Sequence, residues 1–225
     1  MMTFYAALGN YQIQTVDGHK VPYIQRLGKL HPISIPEFVI WSTLLWEVMT
    51  YDECKIHFEH QMRMAEMSVP NFDELLGHLV KRKLIVKGVG YTGGDALYRM
   101  VADTFVIPYD IPGYKKLFSA LKYWLKGEVS LMDLLIKRRD AIPSDAELRV
   151  LSLIEQTPLN GSELVRCFDR NVTDVSSAEK VMKGIYLSAD QLHITNERID
   201  SPNRGLVMEA VANLYLKRKV LLELP

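Results

Sequence analysis

The sequence predicts an α+β chain, mainly α, divided into two units. Three observations carry that reading. Ser34-Ile-Pro-Glu37 and Thr50-Tyr-Asp-Glu53 each set a hydroxyl residue three positions before a glutamate, the reciprocal pattern that satisfies free amides at a helix start. After Asn71, the residues Phe72, Leu75, Leu76, Leu79 and Val80 recur at helical spacing, and at Leu84-Ile85-Val86 the period changes to that of a strand. Ahead of all of these, YQIQTV and KVPYIQ flank Asp17-Gly18, a dipeptide suited to the positive φ angles of a tight hairpin turn.

Taken in order, residues 4 to 33 form an N-terminal hairpin arm, with Pro22 placing its second run at a sheet edge. A helix starts at Ser34, with proline in its first turn, and runs to Met49. It is apolar almost all round, which marks a helix central to a core. A second helix runs from Thr50 to about Met67, and a third from Asn71, capped by that residue with Glu74 reaching back. Lys81, Arg82 and Lys83 crowd its last turn, where cations meet the negative end of the helix dipole. GVGYTGGD then reads as a tight turn between two strands, with LYRMV as the returning one.

The boundary falls near Asp110, so that residues 1–110 make the first unit and 111–225 a mostly helical second one. Helices are expected over Tyr114–Lys126, from Ser130, from Ser144 to Gln156, from Ser162 to Phe168, from Ser176 to Leu187 and from Leu206 to Lys219. QLHIT reads as a short strand, and VLLEL as an apolar tail. HLVKRKLIV in the first half echoes NLYLKRKVLLE at the end, each a helix terminus running into a strand, which hints at a repeated module.

Composition limits the function classes. The chain has 225 residues, with 27 basic against 27 acidic side chains, so no global field draws nucleic acid or an acidic membrane. Residues 1–110 hold 10 Lys plus Arg against 12 Asp plus Glu, a balance that argues against a strongly basic DNA-binding unit. Two cysteines, Cys54 and Cys167, exclude a disulfide framework and suit a reducing, cytoplasmic setting. The start, MMTFYAALGN, lacks the features of a signal peptide, and FVIWSTLLWEVM is too short to span a bilayer.

Residues 34 to 101 resemble the winged-helix transcription regulators, with LLGHLVKRKLIVKG where those proteins carry the junction of recognition helix and wing. LRVLSLIEQTPLNGSELV (148 to 165) is similar to the opening of the PadR type, where a helix passes through a Pro-Leu-x-Gly turn into a second helix. The resemblance implies a winged helix-turn-helix, carrying its hairpin arm, in a homodimeric regulator that binds double-stranded DNA. In that reading the recognition helix enters the major groove through Asn71, His78, Lys81 and Arg82, while the wing touches backbone through Lys87, Tyr91, Thr92 and Arg99. The final helix would serve the dimer. Asp73 and Glu74 depart from the pattern, because they occupy the first turn and would face phosphates. The alternative is a non-enzymatic winged-helix scaffold that presents the same fold to a protein partner. No cofactor is expected, and no arrangement of nucleophile and base suggests an enzyme.

Three further motifs have bland and sharp readings. Lys115, Lys122 and Lys126 form a stripe that is either a phosphate contact or the solvated face of a helix; the latter is preferred. Gly88-Val-Gly90-Tyr-Thr-Gly93 matches the dinucleotide fingerprint, with Asp110 at about the distance of a ribose-binding acid, but no alternation of strands and helices builds the parallel sheet it needs. Cys54, His57 and His60 recur every third residue and could ligate zinc, although partly buried histidines on a packing helix explain them as well.

Overall fold

A computed structural model describes residues 1–109, 143–187 and 201–224. Among them lie nine strands and eight α-helices, arranged as small antiparallel sheets with helices against them, an α+β molecule. The expected helices over Tyr114–Lys126 and from Ser130, the lysine stripe, Asp110 and QLHIT lie outside the described residues.

Strand β1 (Met2–Ala7) opens the chain, and β2 (Asn10–Val16), β3 (His19–Arg26) and β4 (Lys29–Pro32) form a three-stranded arm in the order β2-β3-β4. Val16 pairs with His19 around the predicted turn, where Asp17 and Gly18 take φ of 50° and 79°. The arm has one strand more than expected, and β3 is its middle strand rather than an edge. Proline is tolerated there because β4 stops opposite Tyr23, which leaves a neighbour on only one side of Pro22.

Helices α1 (Ile35–Thr43), α2 (Tyr51–Met64) and α3 (Phe72–Lys81) start where the capping residues place them. Ser34 and Thr50 each form the full reciprocal box, and Asn71 accepts from the amide of Asp73. Helix α1 stops well before Met49, because Trp46 takes a φ of 67° and the chain re-enters a strand, β5 (Met49–Thr50). After α3, Lys83 turns into the left-handed region and the chain becomes β6 (Ile85–Gly90).

The sheet β5-β1-β6 divides two cores by strand alternation. Ala7 and Ile85 join Ile40, Trp41, Phe58 and Leu79 on the α1–α3 side. Their neighbours Ala6 and Val86 face the other way, into a core shared with the second half of the chain.

The expected returning strand of the hairpin is instead a helix, α4 (Gly93–Val101), and this corrects the wing reading of residues 84 to 101. Two physical reasons decide it. The place between β5 and β6 is already taken by β1, which pairs with both, and with β6 from Met2–Gly90 to Ala7–Ile85. Thr92 accepts from the amide of Asp95, capping a helix whose buried residues Ala96 and Met100 stand four apart. Glycine is required at 88 and 90 because α4 lies directly on the strand. A Cβ at Gly88 would stand 2.7 Å from the Met100 nitrogen, and one at Gly90 would stand 2.7 Å from Asp95 carbonyl carbon. The glycines mark close backbone approach, not a phosphate cradle.

Strand β7 (Phe105–Pro108) pairs with β8 (Leu159–Asn160) and β9 (Val220–Glu223), so residues read as the end of the first unit stand in the second sheet. Helices α5 (Asp145–Ile154), α6 (Gly161–Asp169) and α8 (Arg204–Leu216) pack on it. Among the described residues between α6 and α8 lies the short α7 (Ala178–Val181), capped by Ser177 rather than Ser176 and continued by a π turn over Met182–Tyr186. The apolar tail is strand β9.

The second half repeats the first. Apart from the arm β2–β4 in the first and the short α7 with its π turn in the second, the described elements of both run strand, helix, short strand, helix, helix, strand, and the sheet orders β5-β1-β6 and β8-β7-β9 place the first strand in the middle. Phe4 pairs with Thr50 and Gly88, and Phe105 pairs with Asn160 and Glu223. Thr50 and Asn160, each the last residue of its short strand, cap the next helix with Glu53 and Glu163. The Lys-Arg-Lys echo falls at equivalent helix ends but one residue out of step, since the left-handed residue is Lys83 at φ 56° in one and Arg218 at 58° in the other.

Candidate interaction surface

Helix α3 turns Asn71, Asp73, Glu74, Gly77, His78 and Lys81 outward. Its first turn is acidic and fixed: the Tyr51 hydroxyl donates to Asp73 Oδ1, and that bond pushes the Tyr51 pKa up to about 12. Asn71 has its side chain engaged in capping. Among the four helix residues expected to touch DNA, His78 and Lys81 are exposed with no such duty. Arg82 is turned back into the protein. Its guanidinium donates to the carbonyl of Pro32 and pairs with Glu37 Oε1 at 3.4 Å, tying α3 to the base of the arm.

The four expected wing residues lie on a strand, a turn and a helix. Lys87 is exposed on β6, opposite Tyr5. Tyr91 stands 81% exposed in the turn before α4, Thr92 caps that helix, and Arg99 is exposed on it. They do not form a projecting hairpin beside α3.

Helix α8 holds the position in the second unit that α3 holds in the first. Val207, Met208, Val211, Leu214 and Tyr215 are buried, so the helix expected to serve a dimer is largely core. Its exposed side carries Leu206, Glu209 and Leu216, an acid and two leucines.

A cationic collar surrounds the C-terminal end of α3. Arg26 pairs with Lys29 in register across the β3–β4 turn, and its Nη1 donates to the Lys83 carbonyl at 2.6 Å. His31, on β4, has its pKa lowered by burial first and then by the nearby charges of Arg26, Arg82 and Lys29. Lys81, exposed, precedes Arg82 in the same helix end. Two buried acids pair with the collar among the described residues: Glu37 with Arg82, and Glu223 with Arg26 at 3.0 Å. This gathering was missed in the sequence because Lys29 and His31 lie about fifty residues before Lys81 and Arg82.

Above the collar the arm extends away from the core. Tyr11 sets its ring edge against Phe38 and Trp41, at 5.7 and 6.2 Å, and anchors the base. Farther out, Ile13 is 57% exposed, and β2 pairs on one side only; Leu27 at 57% and Leu30 at 41% are exposed at the core end of the arm, beside Arg26 and Lys29.

The remaining motifs separate. Cys54 is buried and desolvation pushes its thiol up to about 12, while His57 and His60 face solvent, so the three do not converge. Among the described residues no three His, Cys, Asp or Glu gather as a metal site. Cys167 is likewise buried, its thiol pushed up to about 11. No described helix is long and apolar enough to cross a membrane. Compared with known proteins, the chain matches no family model, no curated protein and no solved structure.

Proposed function

We propose that both units are winged-helix modules whose third strand has moved to the N-terminal end, and that the chain is a non-enzymatic protein-interaction module. The topology supports the first part: β1 and β7 hold the middle positions that a returning wing strand would otherwise fill, so no wing follows β6 among the described residues. The arm carries the second part. The described chain covers neither the unpaired β2 edge nor Tyr11 and Ile13, which are exposed on one face of that strand, and an open edge of this kind is a ready site for a partner chain.

DNA binding is a second reading, favoured by the collar. Three observations weigh against it: the acidic first turn of α3, a helix in place of the expected wing strand over Gly93–Val101, and an α8 face without an exposed cation. Titration of mixed-sequence duplex into the protein, from low salt upward, decides between them. The interaction reading expects no binding at about 50 mM salt, where phosphate contacts act strongly. Tight binding with a steep negative salt slope, weakened by Lys81→Ala, would overturn it.

A further inference from the structure

We infer that the collar at the C-terminal end of α3 is the docking site for an acidic, extended segment of a partner protein. This rests on the protein-interaction reading and names the class of partner.

The collar is a local excess of positive charge on a chain whose net charge is zero. Lys29 and Lys81 are exposed, Arg82, next to Lys81, is part-buried and paired with Glu37, and His31 on β4 feels the charges of Arg26, Arg82 and Lys29. The acids that neutralise Arg82 and Arg26 are internal to the fold, so the outward balance is cationic. Complementarity of this kind selects a partner and speeds its encounter.

Size then chooses between two anionic classes. Helix α3 has 10 residues, about 15 Å of length at 1.5 Å per residue. A duplex laid across a helix that short meets both ends, and the other end carries Asp73 and Glu74. A single extended segment fits the basic end alone. Leu27, at the tip of the β3–β4 turn beside Lys29, is 57% exposed and adds an apolar contact that a phosphate backbone would not use. An acidic segment with interspersed leucines matches both features.

The test uses the full chain and a fluorescein-labelled peptide of about twelve residues alternating glutamate with leucine and glycine, with its glutamine counterpart as control. At low salt, anisotropy should show the acidic peptide binding about tenfold more tightly than the glutamine one, the gap closing as salt screens the charges. Lys29→Glu and Lys81→Glu should each weaken it by about fivefold or more, and Arg99→Glu, on the far side of the sheet, should not. If either reversal fails to fold by circular dichroism, Lys29→Gln and Lys81→Gln replace it, with a smaller loss expected. Equal affinity for the two peptides, no binding, or equal losses in all three variants would overturn the assignment. No peptide binding together with no duplex binding removes the acidic partner and leaves the interaction reading. Tighter binding of duplex, lost in the same variants, removes both.

Discussion

At Gly88 a single missing atom decides what the neighbouring segment becomes. Helix α4 crosses β6 so closely that a Cβ there would stand 2.6 Å from the Met100 Cβ and 2.7 Å from its nitrogen. Backbone on both sides leaves no flexible group to move. Gly88→Ala is therefore expected to destabilise by about 2–3 kcal/mol, the upper part of the range of overpacked cores. Gly77→Ala, where a Cβ meets open space, is its control and should stabilise slightly through helix propensity. Urea denaturation of both variants checks the pair, and equal midpoints would refute the close approach. The sequence announced glycines at 88, 90 and 93 but could not say why they were there. A tight hairpin, a phosphate loop and a helix resting on a strand all ask for the same residue, and only the partner surface distinguishes them. Thr92 and Asp95 were the local signal for the third, and the hairpin expectation masked it.

At the scale of elements, one side chain clasps three. Arg26, from β3, donates Nε to Glu223 on β9, Nη1 to the Lys83 carbonyl at the α3–β6 junction, and Nη2 to the Leu224 carbonyl. Removing one partner of such a buried pair strands a charge, so Arg26→Ala should cost about 3–5 kcal/mol, whereas Arg26→Met with Glu223→Leu should cost far less. Burial raises the Glu223 pKa, and the bond from Arg26 pulls it back without restoring it. A carboxyl with a raised folded pKa contributes stability that is complete below its unfolded value and is lost as pH rises through the folded one. Wild type should therefore gain stability relative to Glu223→Gln as pH falls from neutral toward the ordinary glutamate range. Paired urea titrations across that window measure it, and parallel curves would contradict the shift. None of this was readable in advance, because Arg26 and Glu223 are 197 positions apart. The helix starts were readable, since Ser34, Thr50, Asn71 and Ser144 each satisfy an amide two or three residues away.

At the scale of the molecule, the two units share structure instead of merely standing side by side. Ala6, Leu8 and Val86 of the first sit in one core with Val150, Leu164 and Val211 of the second. Tyr215, buried in α8, donates its hydroxyl toward the Ala7 and Leu44 carbonyls at 3.2 and 3.1 Å, and Gly9 donates to Leu222 at 2.9 Å. The chain should consequently unfold in one transition, with the fluorescence of its three tryptophans, Trp41, Trp46 and Trp124, coinciding with helix content by circular dichroism. Tyr215→Phe should keep that single transition and lower stability by about 1 kcal/mol, the cost of losing a buried hydrogen bond, because the Leu44 carbonyl still accepts from the Ala7 amide. Two separated transitions would show that the units are independent.

What the sequence by itself determined was local: the α+β class, the capped starts of its helices, the Asp17-Gly18 turn of the arm, and the helix-to-strand switches behind Lys-Arg-Lys. Each depends on residues within a turn or two of one another, so the information sits in the sequence window that encodes it. The tertiary structure alone decided the pairings. It put β1 beside β6, leaving residues 93–101 to become a helix; it made the second half repeat the first; and it brought Lys29 and His31 to the end of α3. Those outcomes turn on which distant surface arrives first at an open strand edge or apolar face, and spacing along the chain does not record that.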